Sequence, residues 1–163
     1  MYFEIERRFL IKNNSWRSYI IKQVQITQGY LSSNNDGWIV RLRSENKKFK
    51  LTLKKHIANS TSLEFEHTID SNEGNQILTN IKDKIEKHRF YLKVNEKNWI
   101  VDIFQESNAP LEIAEIELDS EHEKLIIPDF ISQEITGIKI FSNYQLSINP
   151  FSSWSDEDIN KFF

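Results

Sequence analysis

The chain has 163 residues, 39% hydrophobic and 12% aromatic, with no cysteine; this supports one domain with its own core and excludes disorder, disulfide frameworks and thiolate chemistry. A net charge of −3 argues against non-specific nucleic-acid binding, and the four histidines lack zinc-ligand spacing. The first residues lack the basic and apolar regions of a signal peptide and no long apolar run spans a membrane, so a cytoplasmic protein with neither nucleic-acid nor membrane partners is expected.

The small net charge hides a segregation. From Trp38 to His56, seven Lys or Arg stand against Glu45; from Asp102 to Thr136, ten acids stand against Lys124. Opposed blocks of this kind suggest two sets that face each other or a common ligand.

In chain order, Glu4-Ile5-Glu6-Arg7-Arg8 reads as a strand whose period of two puts Glu4, Glu6 and Arg8 on one face and Phe3, Ile5 and Phe9 on the other. Residues 13–22 read as a short helix, capped by Asn14 or Ser15, that buries Trp16, Ile20 and Tyr19. A strand over 24–31 leads to Asn34-Asn35-Asp36-Gly37, a hairpin turn signal. Next, Trp38 to Arg43 places Ile39, Arg41 and Arg43 together. Lys48 to Lys54 then alternates Lys48, Lys50, Thr52 and Lys54 with Phe49, Leu51 and Leu53. After a loop over 58–62, Glu64 and Glu66 share a face of a strand over 63–69.

Between 70 and 85 the period changes, and Ile77, Leu78, Ile81 and Ile85 sit at helical spacing behind Ser71 or Asn72 as caps. Strands return at 88–94 and 99–104 around a turn at 95–98. Over 111–119, Ile113, Glu115, Glu117 and Asp119 alternate with Ala114, Ile116 and Leu118. Residues 120–127 read as a short helix stopped by Pro128, and 133–136 as a brief last strand. In the tail, 149–163, Ser155 to Asp158 has the capping-box pattern of a terminal helix ending at Phe162-Phe163. About eight hairpin-linked strands with few helices define an α+β, mainly β, single domain over 1–163 that can close into a barrel.

Three strands carry paired carboxylates (Glu4/Glu6, Glu64/Glu66 and Glu115/Glu117), and others carry Arg41/Arg43, Lys50/Lys54 and Lys87/Arg89; Asp102 stands alone among apolar neighbours. Periodicity leaves two assignments open. The charges can form a solvated outer face, each cross-strand pair contributing about 0.2–1 kcal/mol, or they can line a wide, wet interior. Such an interior suits a polyphosphate: Lys and Arg hold phosphate oxygens, and clustered carboxylates hold Mg²⁺ or Mn²⁺. No phosphate-binding glycine loop, catalytic Cys or Ser-His-Asp pattern competes.

The ordered segments Glu4-x-Glu6-x-Arg8, Gln28-Gly29-Tyr30-Leu31, Val40-Arg41-Leu42-Arg43, Leu51-Thr52-Leu53-Lys54, Glu64-Phe65-Glu66, Lys87-x-Arg89, Val101-Asp102-Ile103-Phe104, Glu115-Ile116-Glu117, Glu134-Ile135-Thr136 and Asn143 together resemble the CYTH superfamily of triphosphate tunnel metalloenzymes. The resemblance implies an eight-stranded antiparallel closed tunnel barrel with a charged interior and flanking helices. It also implies divalent-metal-dependent hydrolysis of a small-molecule triphosphate, foremost inorganic tripolyphosphate. Adenylate cyclisation, thiamine triphosphate hydrolysis and non-catalytic polyphosphate or nucleotide binding are the alternatives within that family. A lipocalin-like carrier of apolar ligands is the alternative outside it, and a homodimer is open.

The implied metal ligands are Glu4, Glu6, Glu64, Glu66, Asp102, Glu115 and Glu117, with Mg²⁺ or Mn²⁺ as cofactor. The implied substrate-binding residues are Arg8, Arg41, Arg43, Lys50, Lys54, Lys87 and Arg89, and the catalytic residues Glu6, Arg8 and Glu117. The chain departs from the family pattern in four places: Arg8 replaces a hallmark Lys, Ser62 stands where many members have Arg, Phe130 and Ser132 lie near a usual Trp and Gly, and the His-Phe of the cyclase branch does not precede Glu4. Arg8 stays protonated at physiological pH, so it would hold phosphate and leave water activation to metal with Glu6 or Glu117.

Overall fold

The computed structural model describes residues 3–33, 37–58 and 60–163; the expected turn residues Asn34 to Asp36 lie outside them. Nine strands are present among the described residues: β1 (Phe3–Ile11), β2 (Ile20–Ser33), β3 (Trp38–Glu45), β4 (Lys48–Ala58), β5 (Thr61–Ile69), β6 (Lys84–Val94), β7 (Lys97–Phe104), β8 (Glu112–Glu117) and β9 (Ile131–Glu134). Helices α1 (Ser71–Asn80), α2 (Asn143–Ile148) and α3 (Asp156–Asn160) accompany them. The antiparallel order β5-β4-β3-β2-β6-β7-β8-β1 closes through a β5–β1 pairing, so eight strands form the barrel. None of these helices is long and apolar enough to cross a membrane.

β1 is the strand on which closure turns. One edge pairs Glu6 to Leu10 with β8. The other edge is shared: Phe3 to Ile5 pair with β5, and Phe9 and Ile11 pair with β9. The stretch between, Glu6 to Arg8, borders the gap where β5 gives way to β9.

Alternation along each strand sorts the side chains. The outward residues Phe9, Phe90, Leu92, Trp99, Val101, Ala114 and Ile116 pack under Trp16 and Phe130, forming a core outside the barrel wall. On the opposite wall, Leu78 and Ile81 cover Leu42 and Phe49. The charged faces therefore point inward, which resolves the choice that periodicity left open. One end of the interior is apolar. Leu10, Ile85, Phe104 and Ile113 continue the inward faces that carry Arg8, Lys87, Asp102 and Glu115, and they meet Phe141, Leu146 and Trp154 of the C-terminal segment. That segment plugs the barrel.

Several expected elements differ. The helix expected over 13–22 is a 3-10 helix over Asn14–Tyr19; Asn13 caps it by accepting from the Ser15 amide at 3.0 Å, Trp16 is buried, and Tyr19 is exposed. β2 already begins at Ile20. α1 ends at Asn80 and is capped by Asp70, not Ser71 or Asn72. Ile81 packs from an extended residue, and Ile85 belongs to β6. Turns and irregular chain replace the helix expected over 120–127. There the acids serve other groups: Glu123 accepts from the Asp119 amide and Glu121 from the Thr61 hydroxyl. The last strand covers 131–134, and Thr136 instead accepts from the Arg8 amide at 3.0 Å. The loop expected over 58–62 is shorter, since β4 reaches Ala58 and β5 starts at Thr61. The Ser155–Asp158 capping box forms as read, and α3 stops at Asn160.

α1 lies so close to β4 that a Cβ at Gly74 would fall 2.3 Å from Phe49 Cγ. Gly74→Ala is therefore expected to destabilise the protein by about 1–3 kcal/mol through overpacking, although alanine favours helix. Urea denaturation measures this, and a stabilised variant would contradict the close approach.

Candidate active site

Asp102 on β7 is wholly buried and contacts two cations. Arg89 Nε donates to Oδ1 at 2.8 Å and Arg89 NH2 to Oδ2 at 2.7 Å, while Lys87 Nζ reaches Oδ2 at 2.5 Å. Burial alone would raise the Asp102 carboxyl, but Arg89 and Lys87 outweigh it and hold the group well below the usual carboxylate range. Burial pulls Lys87 down to about 8 against the attraction of Asp102; its ammonium also donates to Asn143 Oδ1 at 3.3 Å. Glu115 on β8 accepts from Arg8 Nε at 3.0 Å and from Arg89 NH2 at 3.1 Å.

Two carboxylates thus serve one side of an interior that also holds Arg41 and Arg43. Register pairs Arg41 with Tyr30 and Arg43 with Gln28 across β2 and β3. Arg43 Nε donates to Gln28 Oε1 at 3.3 Å, and Gln28 Nε2 in turn to the Tyr30 hydroxyl at 2.7 Å. No carboxylate forms an ion pair with Arg43 among the described residues; burial, then Arg41 and Arg89, push it down to about 10. At neutral pH it is still a cation. Arg41 NH2 donates to Thr52 Oγ1 at 3.1 Å and lies 3.4 Å from Glu64, while its Nε is buried without a partner. Arg8 NH1 donates to the Phe141 carbonyl at 3.0 Å, and its NH2 too is buried without a partner.

Of these residues, Arg8, Arg41 and Tyr30 line open space. A cavity of about 110 Å³ is lined by Glu6, Arg8, Tyr30, Arg41 and Lys54 with Ser142 to Tyr144. A neighbouring one of about 330 Å³ shares Glu6, Arg8 and Lys54 and extends along Ser62, Thr136, Lys139 and Gln145. Buried guanidinium donors left unsatisfied beside a cavity are costly unless an anion occupies it.

The carboxylates gather on the other side. Lys54 bonds Glu4, lies 3.3 Å from Glu64 and 3.7 Å from Glu6, and is half-buried; desolvation lowers its ammonium, but Glu6, Glu4 and Glu64 outweigh this and hold it above the ordinary value. Glu6 stands directly opposite Glu117 in the β1–β8 register. Burial, then Glu4 and Glu6, raise the Glu117 carboxyl. Among the described residues no three of these groups already stand in a metal-ligating arrangement. The donor set, all carboxylate oxygen and mutually repulsive, nevertheless has the chemistry of a hard divalent cation site.

All the site residues expected from sequence lie on inward faces, but they divide. Asp102 and Glu115, expected among the metal ligands, have their oxygens committed to cations. Glu66 pairs with Lys50 at 2.5 Å at an exposed edge, apart from the Lys54 cluster. Sequence reasoning missed Gln28, Tyr30, Thr52 and the Ser142–Tyr144 wall as part of the site. The signal available for Gln28 and Tyr30 was their shared face opposite Arg43 and Arg41.

A closed antiparallel barrel whose interior carries clustered cations with donor atoms left unpartnered, together with crowded carboxylates, defines a tunnel protein for a multiply charged anion. No family model matches the chain. It is 36% identical over 155 residues to an inorganic triphosphatase of Acetivibrio thermocellus, covering 94% of this chain and 98% of that protein. It is 28% identical over 150 residues to an inorganic triphosphatase of Nitrosomonas europaea, covering 90% and 97%. A crystal structure of an inorganic triphosphatase matches with a TM-score of 0.63 at 28% identity, covering 91% of this chain and 96% of the other. The chain belongs to the inorganic triphosphatase family of the CYTH superfamily.

Asp102→Asn would leave Lys87 and Arg89 short of their shared countercharge, and should destabilise the protein by about 3–5 kcal/mol at pH 7. Because the folded-state pKa of Asp102 is depressed, its contribution is present above the unfolded carboxylate value of about 4 and is lost as pH falls below it. The variant should therefore lose less stability than the parent between pH 7 and acid. Urea melts at both pH values check this; equal stability of the two proteins at pH 7 would contradict it.

Proposed function

We propose that the protein hydrolyses inorganic tripolyphosphate inside the barrel, with Mg²⁺ or Mn²⁺ held by Glu4, Glu6, Glu64 and Glu117. Triphosphate hydrolysis is the activity of the family, and the observation that carries the reading to these residues is the set of buried, unpartnered donors on Arg8 and Arg41 beside the cavity, backed by Arg43 without a carboxylate. These three would hold the phosphate chain, with Lys54 between phosphate and carboxylates. Asp102 and Glu115 would act as counterions that fix Lys87, Arg89 and Arg8 rather than as metal ligands. Lys50 and Glu66, paired with each other at the exposed edge, would guide approach.

A divalent ion, when bound, supplies charge neutralisation and Lewis-acid polarisation of phosphate oxygens. The chain's own part is positioning and proton handling. Glu117, which stands directly opposite Glu6 in the β1–β8 register, is the carboxylate we assign to accept a proton from the attacking water. Arg8 cannot be a base and only holds phosphate, so Arg8→Lys should retain turnover.

The test is phosphate release from tripolyphosphate, ATP and thiamine triphosphate with each metal. Tripolyphosphate should be turned over fastest, and conversion of ATP to cyclic AMP at an equal rate would replace this reading by the cyclase one. Glu6→Gln should lower kcat about 100-fold or more while sparing metal-free tripolyphosphate binding, and Arg41→Ala should weaken that binding itself about tenfold. Intact activity in both variants would remove the barrel interior as the site.

A further inference from the structure

Arg8 is oriented from two sides. Its Nε is bound to Glu115, which belongs to the barrel wall and is itself tied to Arg89. Its NH1 is bound to the backbone carbonyl of Phe141, which belongs to the C-terminal segment. With two nitrogens fixed by partners on different elements the guanidinium plane is set, and NH2 is the nitrogen left without a partner. Arg8 lines both cavities.

The Phe141 carbonyl is only as well placed as Phe141 itself. It ends a 3-10 turn, Lys139–Phe141, and its ring is wholly buried. Two rings from the tail clamp that ring edge-on: Trp154, with centroids 5.1 Å apart at 72°, and Phe162, at 4.8 Å and 79°. Trp154 is anchored in turn by its indole N–H, which donates to the Asn149 carbonyl at 3.2 Å. The Ser155–Asp158 capping box starts the short helix α3, which leads to Phe162. Removing either clamping ring leaves a void into which Phe141 can relax. Its carbonyl would then move relative to Arg8, and a hydrogen bond weakens steeply with such a shift.

We propose that the tail belongs to the substrate-binding machinery: Trp154 and Phe162 are positioning residues that act through the Phe141 carbonyl to hold Arg8 in the orientation that meets the bound phosphate chain. This rests on the tunnel reading above, in which Arg8 holds phosphate. A tail that merely caps the apolar end of the barrel would affect stability and leave affinity alone.

The test is a double-mutant cycle on the full chain, reading kcat and KM for tripolyphosphate and metal-free tripolyphosphate affinity by calorimetry. Phe162 is half-buried, so Phe162→Ala removes the clamp with limited loss of core. It should raise KM and the dissociation constant about tenfold with kcat within about twofold, and Phe162→Leu should restore part of the loss. In an Arg8→Ala background, Phe162→Ala should add nothing, because the group it positions is gone. Trp154→Leu, which removes the other clamping ring while keeping an apolar side chain beside Phe141, supplies the same readout where Phe162→Ala is too unstable to assay.

Unchanged affinity in Phe162→Ala, with Arg8→Ala clearly weakened, would overturn the inference and leave the tunnel reading standing. Full additivity in the double variant would also overturn it, since the tail would then act elsewhere. Unchanged affinity in Arg8→Ala would instead sink the phosphate role of Arg8 on which the inference depends.

Discussion

Inside the barrel, Arg8, Lys87 and Arg89 share Asp102 and Glu115 as buried counterions, Arg41 lies 3.4 Å from the half-buried Glu64, and Arg43 forms no ion pair with a carboxylate among the described residues. Asp102 is the stronger of the two, bonded bidentately to Arg89 and singly to Lys87, and it makes wholly buried cations tolerable at that depth. What it cannot do is serve Arg43 as well, and Arg41 has only the half-buried Glu64 at 3.4 Å. Charge buried without a partner is unfavourable in a low-dielectric interior. The surplus persists because the surrounding wall fixes it, and the polyanion proposed as substrate would relieve it. Sites that break the usual rule of paired burial are where function is to be sought.

The same wall also confines the opposing carboxylates. Because β1 pairs with β8 on one edge and is divided between β5 and β9 on the other, Glu4 and Glu6 are held beside Lys54 and Glu117 while Arg8 points toward the plug. A shift of one residue in this register would turn Glu4, Glu6 and Arg8 outward and Ile5 and Phe9 inward. Both apolar cores guard against that slip: Phe9 is packed outside against Trp99, and Leu10 inside against the plug. Packing energy thus fixes electrostatic geometry.

Much of this was legible in the sequence because strand alternation marks faces without saying which is inside. The repeated Glu-x-Glu pairs and the Arg41/Arg43 and Lys50/Lys54 runs were read on the correct faces, and the family resemblance supplied the inward direction. The misreadings have physical causes. Ile85 followed Ile81 at helical spacing, yet Ile81 covers Leu42 from outside while Ile85 enters the barrel from β6. The acids of 120–127 looked helical, but their carboxylates are engaged by Asp119, Thr61 and Lys97. Asp102 could not be told from a metal ligand, because its commitment to Lys87 and Arg89 depends on pairing β6 with β7 in one register. The plug residues Phe141 to Tyr144 carry no periodic signal, since they are placed by tertiary contact alone.

If cations alone hold the phosphate chain, and metal acts on a second, acidic set of residues, tripolyphosphate should bind in the absence of metal. The most direct measurement is calorimetric titration of tripolyphosphate into the protein in the presence of a chelator, at two salt concentrations. One-to-one binding without metal is expected, weakened by added salt as for charge-driven contacts. Binding that appears only when a divalent ion is restored would contradict it.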